Sequence, residues 1–114
     1  MMKRFFVVIA AIFIAAQAIA NGGGSFRVTG VRIDSNGLGM VIFDQPLSGS
    51  RPACIVSAYA NALAFDSNTA AGKGIMALAL AAKATGDTVG VYGAGACSIY
   101  GGSYVEDWSY GVVQ

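Results

Sequence analysis

The stretch from Thr69 to Gly86, TAAGKGIMALALAAKATG, admits one regular structure and so limits everything around it. Alanine, leucine, methionine and lysine all have high helix propensity. Asp66, Ser67, Asn68 and Thr69 crowd the position of an N-terminal capping oxygen, and Gly86 stands where a left-handed C-terminal residue belongs. The spacing predicts a helix over 70–85. Its apolar character runs almost all round, which marks a helix with little exposed face. Ile75, Met76, Leu78 and Leu80 are expected to pack on a sheet. Ala77, Ala79, Ala81 and Ala84 leave smooth faces suited to close approach, including by a helix of another subunit. Lys73 and Lys83 bracket the apolar run, so it does not read as a membrane span. The Gly72-Lys73 pair lacks the first glycine and the following hydroxyl of a phosphate-binding loop, because Ser67 and Gly74 hold those positions.

The flanking sequence reads as strands. FRVTGVRID and MVIFD surround the turn residues SNGLG and predict a hairpin. QPLSGSRPA is a loop, since neither Pro46 nor Pro52 can donate within a ladder. CIVSAYANALAF reads as one or two further strands broken near Ala60-Asn61. After the helix, DTVGVYG and CSIYGG read as strands joined by a tight GAGA link. In the closing run YVEDWSYGVV, Trp108, Tyr110 and Val112 alternate against Val105, Asp107 and Ser109. One helix among antiparallel strands is an α+β arrangement, read here as a small barrel with the helix packed across it.

The first 20 residues read as a secretory signal peptide rather than part of the fold. Lys3 and Arg4 precede the apolar run Phe5 to Ala16, and Ala18 and Ala20 form a small-x-small cleavage site. The run is shorter than the roughly 20 residues of a membrane span. Cleavage after Ala20 leaves a single domain over 21–114, secreted or periplasmic, with no membrane span. That part carries Arg27, Arg32, Arg51, Lys73 and Lys83 against Asp34, Asp44, Asp66, Asp87, Glu106 and Asp107. A balance so close to neutral has no basic stripe for phosphates, and nucleic acid is not an expected partner. Cys54 and Cys97 read as a disulfide in an exported chain, with two reduced thiols as the alternative.

Few residues suit catalysis. The chain has no histidine, the commonest general base and metal ligand, and bridged cysteines leave no thiolate. No serine sits in a nucleophile-elbow pattern, and Glu106 and Asp107 are expected on opposite faces of one strand. The reading is of a protein that is not an enzyme and needs no metal or cofactor. Tyr59, Tyr92, Tyr100, Tyr104, Trp108 and Tyr110 offer many rings for a short chain. They serve either as half-buried strand residues or as stacking faces for a ligand.

The signal peptide, TGVRI opening the first strand, and the helix followed by ATGDTVGVYG together resemble the B subunits of AB5 toxins, in particular the subtilase-cytotoxin and pertussis-like group. The resemblance implies an oligonucleotide/oligosaccharide-binding (OB) barrel, a ring-shaped homopentamer with the single helices lining its pore, and recognition of host glycans. It also implies a toxin A subunit as partner. Matched to the family's sugar pocket, Thr29 holds the hydroxyl position of the first strand and Ser25 stands at the upstream acidic one. Gly93 falls at the tyrosine position, with Tyr92 one residue before it. The expected protein is thus a secreted, non-catalytic glycan-binding subunit. The alternative is a small secreted or periplasmic protein-binding or inhibitor-like domain of the same fold.

Overall fold

The computed structural model describes residues 21–114, and the segment read as a signal peptide lies outside the described residues. Five strands and one helix follow in the order β1 (Gly23–Ile33), β2 (Leu38–Phe43), β3 (Ala62–Asp66), α1 (Ala70–Thr85), β4 (Thr88–Gly93) and β5 (Trp108–Val113), with a short 3-10 turn at Ser57–Tyr59 before β3. The hairpin forms where the Asn-Gly turn predicts it, and Gly37 takes a φ of 89° that a side chain would resist. The helix also forms as expected. The Thr69 hydroxyl accepts from the Gly72 amide at 2.9 Å, and Gly86 closes it at φ 76°.

The strands make one antiparallel sheet in the order β3-β2-β1-β4-β5. This corrects the expectation of an OB-like barrel. Closing a barrel needs a ladder between the edge strands β3 and β5, and the sheet has none; one isolated parallel bridge, Ala64–Asp107, links the two edges. Strand β5 also carries an extra residue. Tyr92 pairs with Tyr110 but Gly93 pairs with Trp108, so Ser109 bulges and bends the strand. Beyond that bulge β5 is laddered to β4 alone among the described residues.

The same bulge changes which residues share a face. Trp108 turns into the core at 9% exposure, while Tyr110 and Val112 stay about half exposed. The expected strand CSIYGG is instead a run of turns. Gly101 and Gly102 both adopt positive φ, and the Asp107 carboxylate accepts from the amides of Ser98 and Ile99, each at 2.9 Å.

The main core lies between the inner face of the sheet and α1, built on Phe26, Val41, Phe43, Leu63, Phe65, Val89, Val91 and Trp108. Ile75, Met76 and Leu78 pack on it, but Leu80 does not and is 49% exposed. The buried helix face is made of Gly72, Ala79 and Ala82. A Cβ at Gly72 would overlap the Asp66 carbonyl, so small residues set how closely the helix approaches. A second cluster, Met40, Ala62, Ala64 and Val105, covers the other face of β2 and β3. The loop that builds it is tied by the Cys54–Cys97 disulfide, with Cα atoms 6.1 Å apart at a sequence separation of 43. Burial on both faces explains why β3 reads as the unbroken apolar run ALAF rather than an alternation.

Candidate functional site

On the outer face of β1, β4 and β5, antiparallel pairing sets Tyr92 opposite Tyr110. Their rings stack with centroids 5.2 Å apart and 23° between planes, and they stand 47% and 54% exposed. Pairing also brings Ser25 beside Gly90, and the Ser25 hydroxyl donates to the Gln114 side-chain oxygen at 2.9 Å. Between these side chains lies an open concavity of about 330 Å³, floored by Gly24 and Gly90 and walled by Ser25, Tyr92, Tyr110, Val112 and Gln114. Tyr92 separates it from a second of about 280 Å³, lined by Asn21, Gly23, Gly24, Ser48 and Gly49. No charged side chain lines either one.

Two of the three residues expected to bind a ligand therefore meet here. Ser25 and Tyr92 share the first concavity, whereas Thr29 lies four residues further along β1, roughly 13 Å away at the rise of a strand. Thr29 lines neither concavity; it occupies a bulge between Val28 and Gly30, and its hydroxyl donates to the Ile42 carbonyl at 3.3 Å. Tyr110 is among the rings the sequence offers as stacking faces, whereas Val112 and Gln114 are not singled out from sequence. Their period-two spacing was the available signal, obscured by including Trp108 in the same alternation.

The other tyrosines form a contrasting cluster. Arg32 binds Asp34 at 2.8 Å and donates to the Tyr59 hydroxyl at 3.1 Å. Tyr59 and Tyr104 share a hydrogen bond of 3.0 Å, and Tyr100 donates to Asp34 at 2.6 Å. The hydrogen bond from Tyr100, helped by Arg32, holds the Asp34 carboxyl below its ordinary range. Burial, and then the bond to Asp34, pushes the Tyr100 phenol up. The bond between Tyr59 and Tyr104 lowers the first and raises the second. Every hydroxyl in this group is engaged, and its residues tie the β1–β2 hairpin to the disulfide-linked loop.

The adjacent carboxylates are engaged as well. Glu106 is fully buried and accepts from Arg51 at 2.9 Å, from the Gly95 amide at 2.9 Å and from the Gly22 amide. Glu106 and Asp107 are both buried rather than divided between core and solvent, because the chain around them is loop whose amides they satisfy. Among the described residues no cluster of histidine, cysteine or carboxylate side chains fits a metal ion, and no helix is long and apolar enough to cross a membrane.

No protein-family model matches the chain, and no curated protein or solved structure matches it. Together with the open sheet, this overturns the resemblance to AB5 toxin B subunits. The homopentameric ring, the pore-lining role of α1 and the glycan-binding subunit function all depended on the closed OB barrel, and fall with it. The same correction removes the inhibitor-like alternative in the form that required that fold.

Proposed function

We propose that the protein is an exported, non-catalytic binding module that takes an uncharged, extended segment of a partner polypeptide across the outer face of β1, β4 and β5. The observation that carries this reading is the stacked and exposed Tyr92–Tyr110 pair, flanked by two uncharged concavities. Tyrosine gives a large contact area for two side-chain torsions, so ordering it on binding costs little entropy. The glycine floor lets a ligand backbone approach the sheet closely. The Ser25 hydroxyl and the Gln114 amide supply a donor and an acceptor for main-chain groups. Arg32 with Asp34 and Arg51 with Glu106 are already paired, which favours binding over catalysis as the work of this surface.

Export is supported by the leader-like pattern of residues 1–20 and by the disulfide, a bond that persists in oxidising compartments. The test is selection of a displayed random-peptide library on the oxidised protein, counter-selected with Y92A/Y110A. Uncharged peptides that bind the wild type and lose at least tenfold in affinity on the double variant are expected. Enrichment of charged sequences, or equal binding to both proteins, would overturn the reading.

A further inference from the structure

The hydrogen-bonding parity of β5 can be followed residue by residue. The Gln114 amide donates to the Thr88 carbonyl at 2.8 Å, continuing the register in which Val113 faces Val89. In an antiparallel ladder, hydrogen-bonded and non-hydrogen-bonded pairs alternate. Tyr110, Val112 and Gln114 therefore turn their main-chain groups toward β4. Gly111 and Val113 turn theirs to the outer edge of the sheet, beyond which no strand is laddered among the described residues. Sheet edges are commonly guarded by a charge, a proline or a bulge. Here the guards end at Ser109, whose bulge and neighbouring Ala64–Asp107 bridge protect only the start of β5. From Tyr110 to Gln114 the edge keeps an unbroken register to β4 and has no charged side chain or proline, with Tyr110, Val112 and Val113 at 54%, 52% and 39% exposure.

We propose that this edge pairs with the same edge of a second copy, antiparallel about a two-fold axis at Val112, to give a homodimer with one continuous ten-stranded sheet. The stretch is complementary to itself in that register. Gly111 meets the partner's Val113 as a hydrogen-bonded pair, and the reverse pair repeats it, giving about four main-chain hydrogen bonds. Val112 meets the partner's Val112 and Tyr110 meets the partner's Gln114, both as non-hydrogen-bonded pairs, in which side chains approach most closely. On the inner face the partner's Val113 comes opposite a position with no side chain, where the Trp108 ring already fills the space a Gly111 Cβ would take. No charged side chain occurs from Trp108 to Gln114, so two copies meet without like-charge repulsion. A two-fold pairing uses one patch on both partners and closes after two subunits. It also sets the two tyrosine-walled concavities side by side, although the dimer does not depend on the binding reading.

Sedimentation of the exported, oxidised protein from micromolar to millimolar concentration tests the proposal, with two variants. Val112→Lys places a charge in the centre of the edge. Val113→Pro removes an edge-directed amide without touching the β4 ladder. The wild type is expected to double its mass with concentration, and both variants are expected to stay at half that mass with unchanged near-ultraviolet circular dichroism. A third variant, Val112→Cys, reads the register, since facing cysteines at the axis link under mild oxidation while Tyr110→Cys does not. A wild type that remains monomeric, a dimer indifferent to Val113→Pro, or linking through Tyr110→Cys would overturn it. Tyr110 belongs to the edge but Tyr92 lies outside it, so Y92A alone is expected to weaken peptide binding while leaving the dimer intact; failure of the peptide selection therefore leaves the sedimentation result standing.

Discussion

The two halves of the sheet are built from similar residues and finished differently. Strands β2 and β3 are covered on both faces, by the helix-side core on one and by the disulfide-tied loop on the other. Strands β1, β4 and β5 are covered on one face only, and their outer surface holds Tyr92, Tyr110 and Val112 in solvent. Each half has its own tyrosines. Those of the covered half have partners for every hydroxyl, whereas Tyr92 and Tyr110 have none among the described residues and touch chiefly each other. A tyrosine's role is set by whether the fold supplies a partner for its polar end, since a buried hydroxyl without one is costly.

The largest expected effect comes from removing the tie that holds the cover in place. Closing a loop of 43 residues stabilises a fold by about 4 kcal/mol on the chain-entropy model. Replacing both Cys54 and Cys97 by alanine is expected to cost about that much in urea unfolding, and to return the titrations of Tyr59, Tyr100 and Tyr104 toward ordinary values. A loss below about 1 kcal/mol would mean that the loop stays in place without the bridge.

Next in size is the bond between Tyr100 and Asp34. A hydrogen bond to a charged group contributes about 1.5–3 kcal/mol, and partial exposure places this one at the low end, so Y100F is expected to cost about 1.5 kcal/mol. Its pH dependence has a definite sign. Asp34 is held below 3.8, its ordinary value, so its contribution is present above that pH and is lost as pH falls through the folded value. Tyr100 is pushed above 10.0, so its contribution is complete below that pH and is lost as pH rises toward the folded value. The stability gap between wild type and Y100F should therefore be widest between these limits and narrow outside them. Thermal unfolding from below pH 3.8 to above pH 10.0 measures it, and a gap independent of pH would mean that the Tyr100 hydroxyl stabilises the fold without Asp34.

Local features were legible in the sequence where one residue or one period decides the outcome. The helix from 70 to 85 follows from its caps and alanine content, the β1–β2 hairpin from its Asn-Gly turn, and the bridge from the paired cysteines of an exported chain. What was hidden depends on residues far apart in the chain. A single extra residue, Ser109, decides that Trp108 joins the core while Tyr110 and Val112 leave it, and nothing in SYVEDWSYGVV marks that position. CSIYGG has the composition of a strand, yet the Asp107 carboxylate captures its first amides and two glycines turn it. For the candidate site, Ser25 and Tyr92 were visible through their residue types, but Thr29 lies elsewhere on β1 and Gln114 enters only through the cross-strand register.

The smallest expected effect is the one most able to break the comparison between the halves. Y92F/Y110F removes both hydroxyls of the open half and keeps both rings, so the stacked contact at 5.2 Å survives. With no hydrogen bond to lose, the double variant is expected to unfold within about 0.5 kcal/mol of wild type, as surface substitutions away from special features do. Y100F, with one hydroxyl removed from the covered half, should cost more than the two together. If Y92F/Y110F instead destabilises the fold as much as Y100F does, the outer hydroxyls have partners of their own, and that face is finished rather than open. If its stability is unchanged while peptide binding falls, the hydroxyls are held for a ligand, and the exposure of the tyrosine pair is explained by what it contacts rather than by what the fold leaves uncovered.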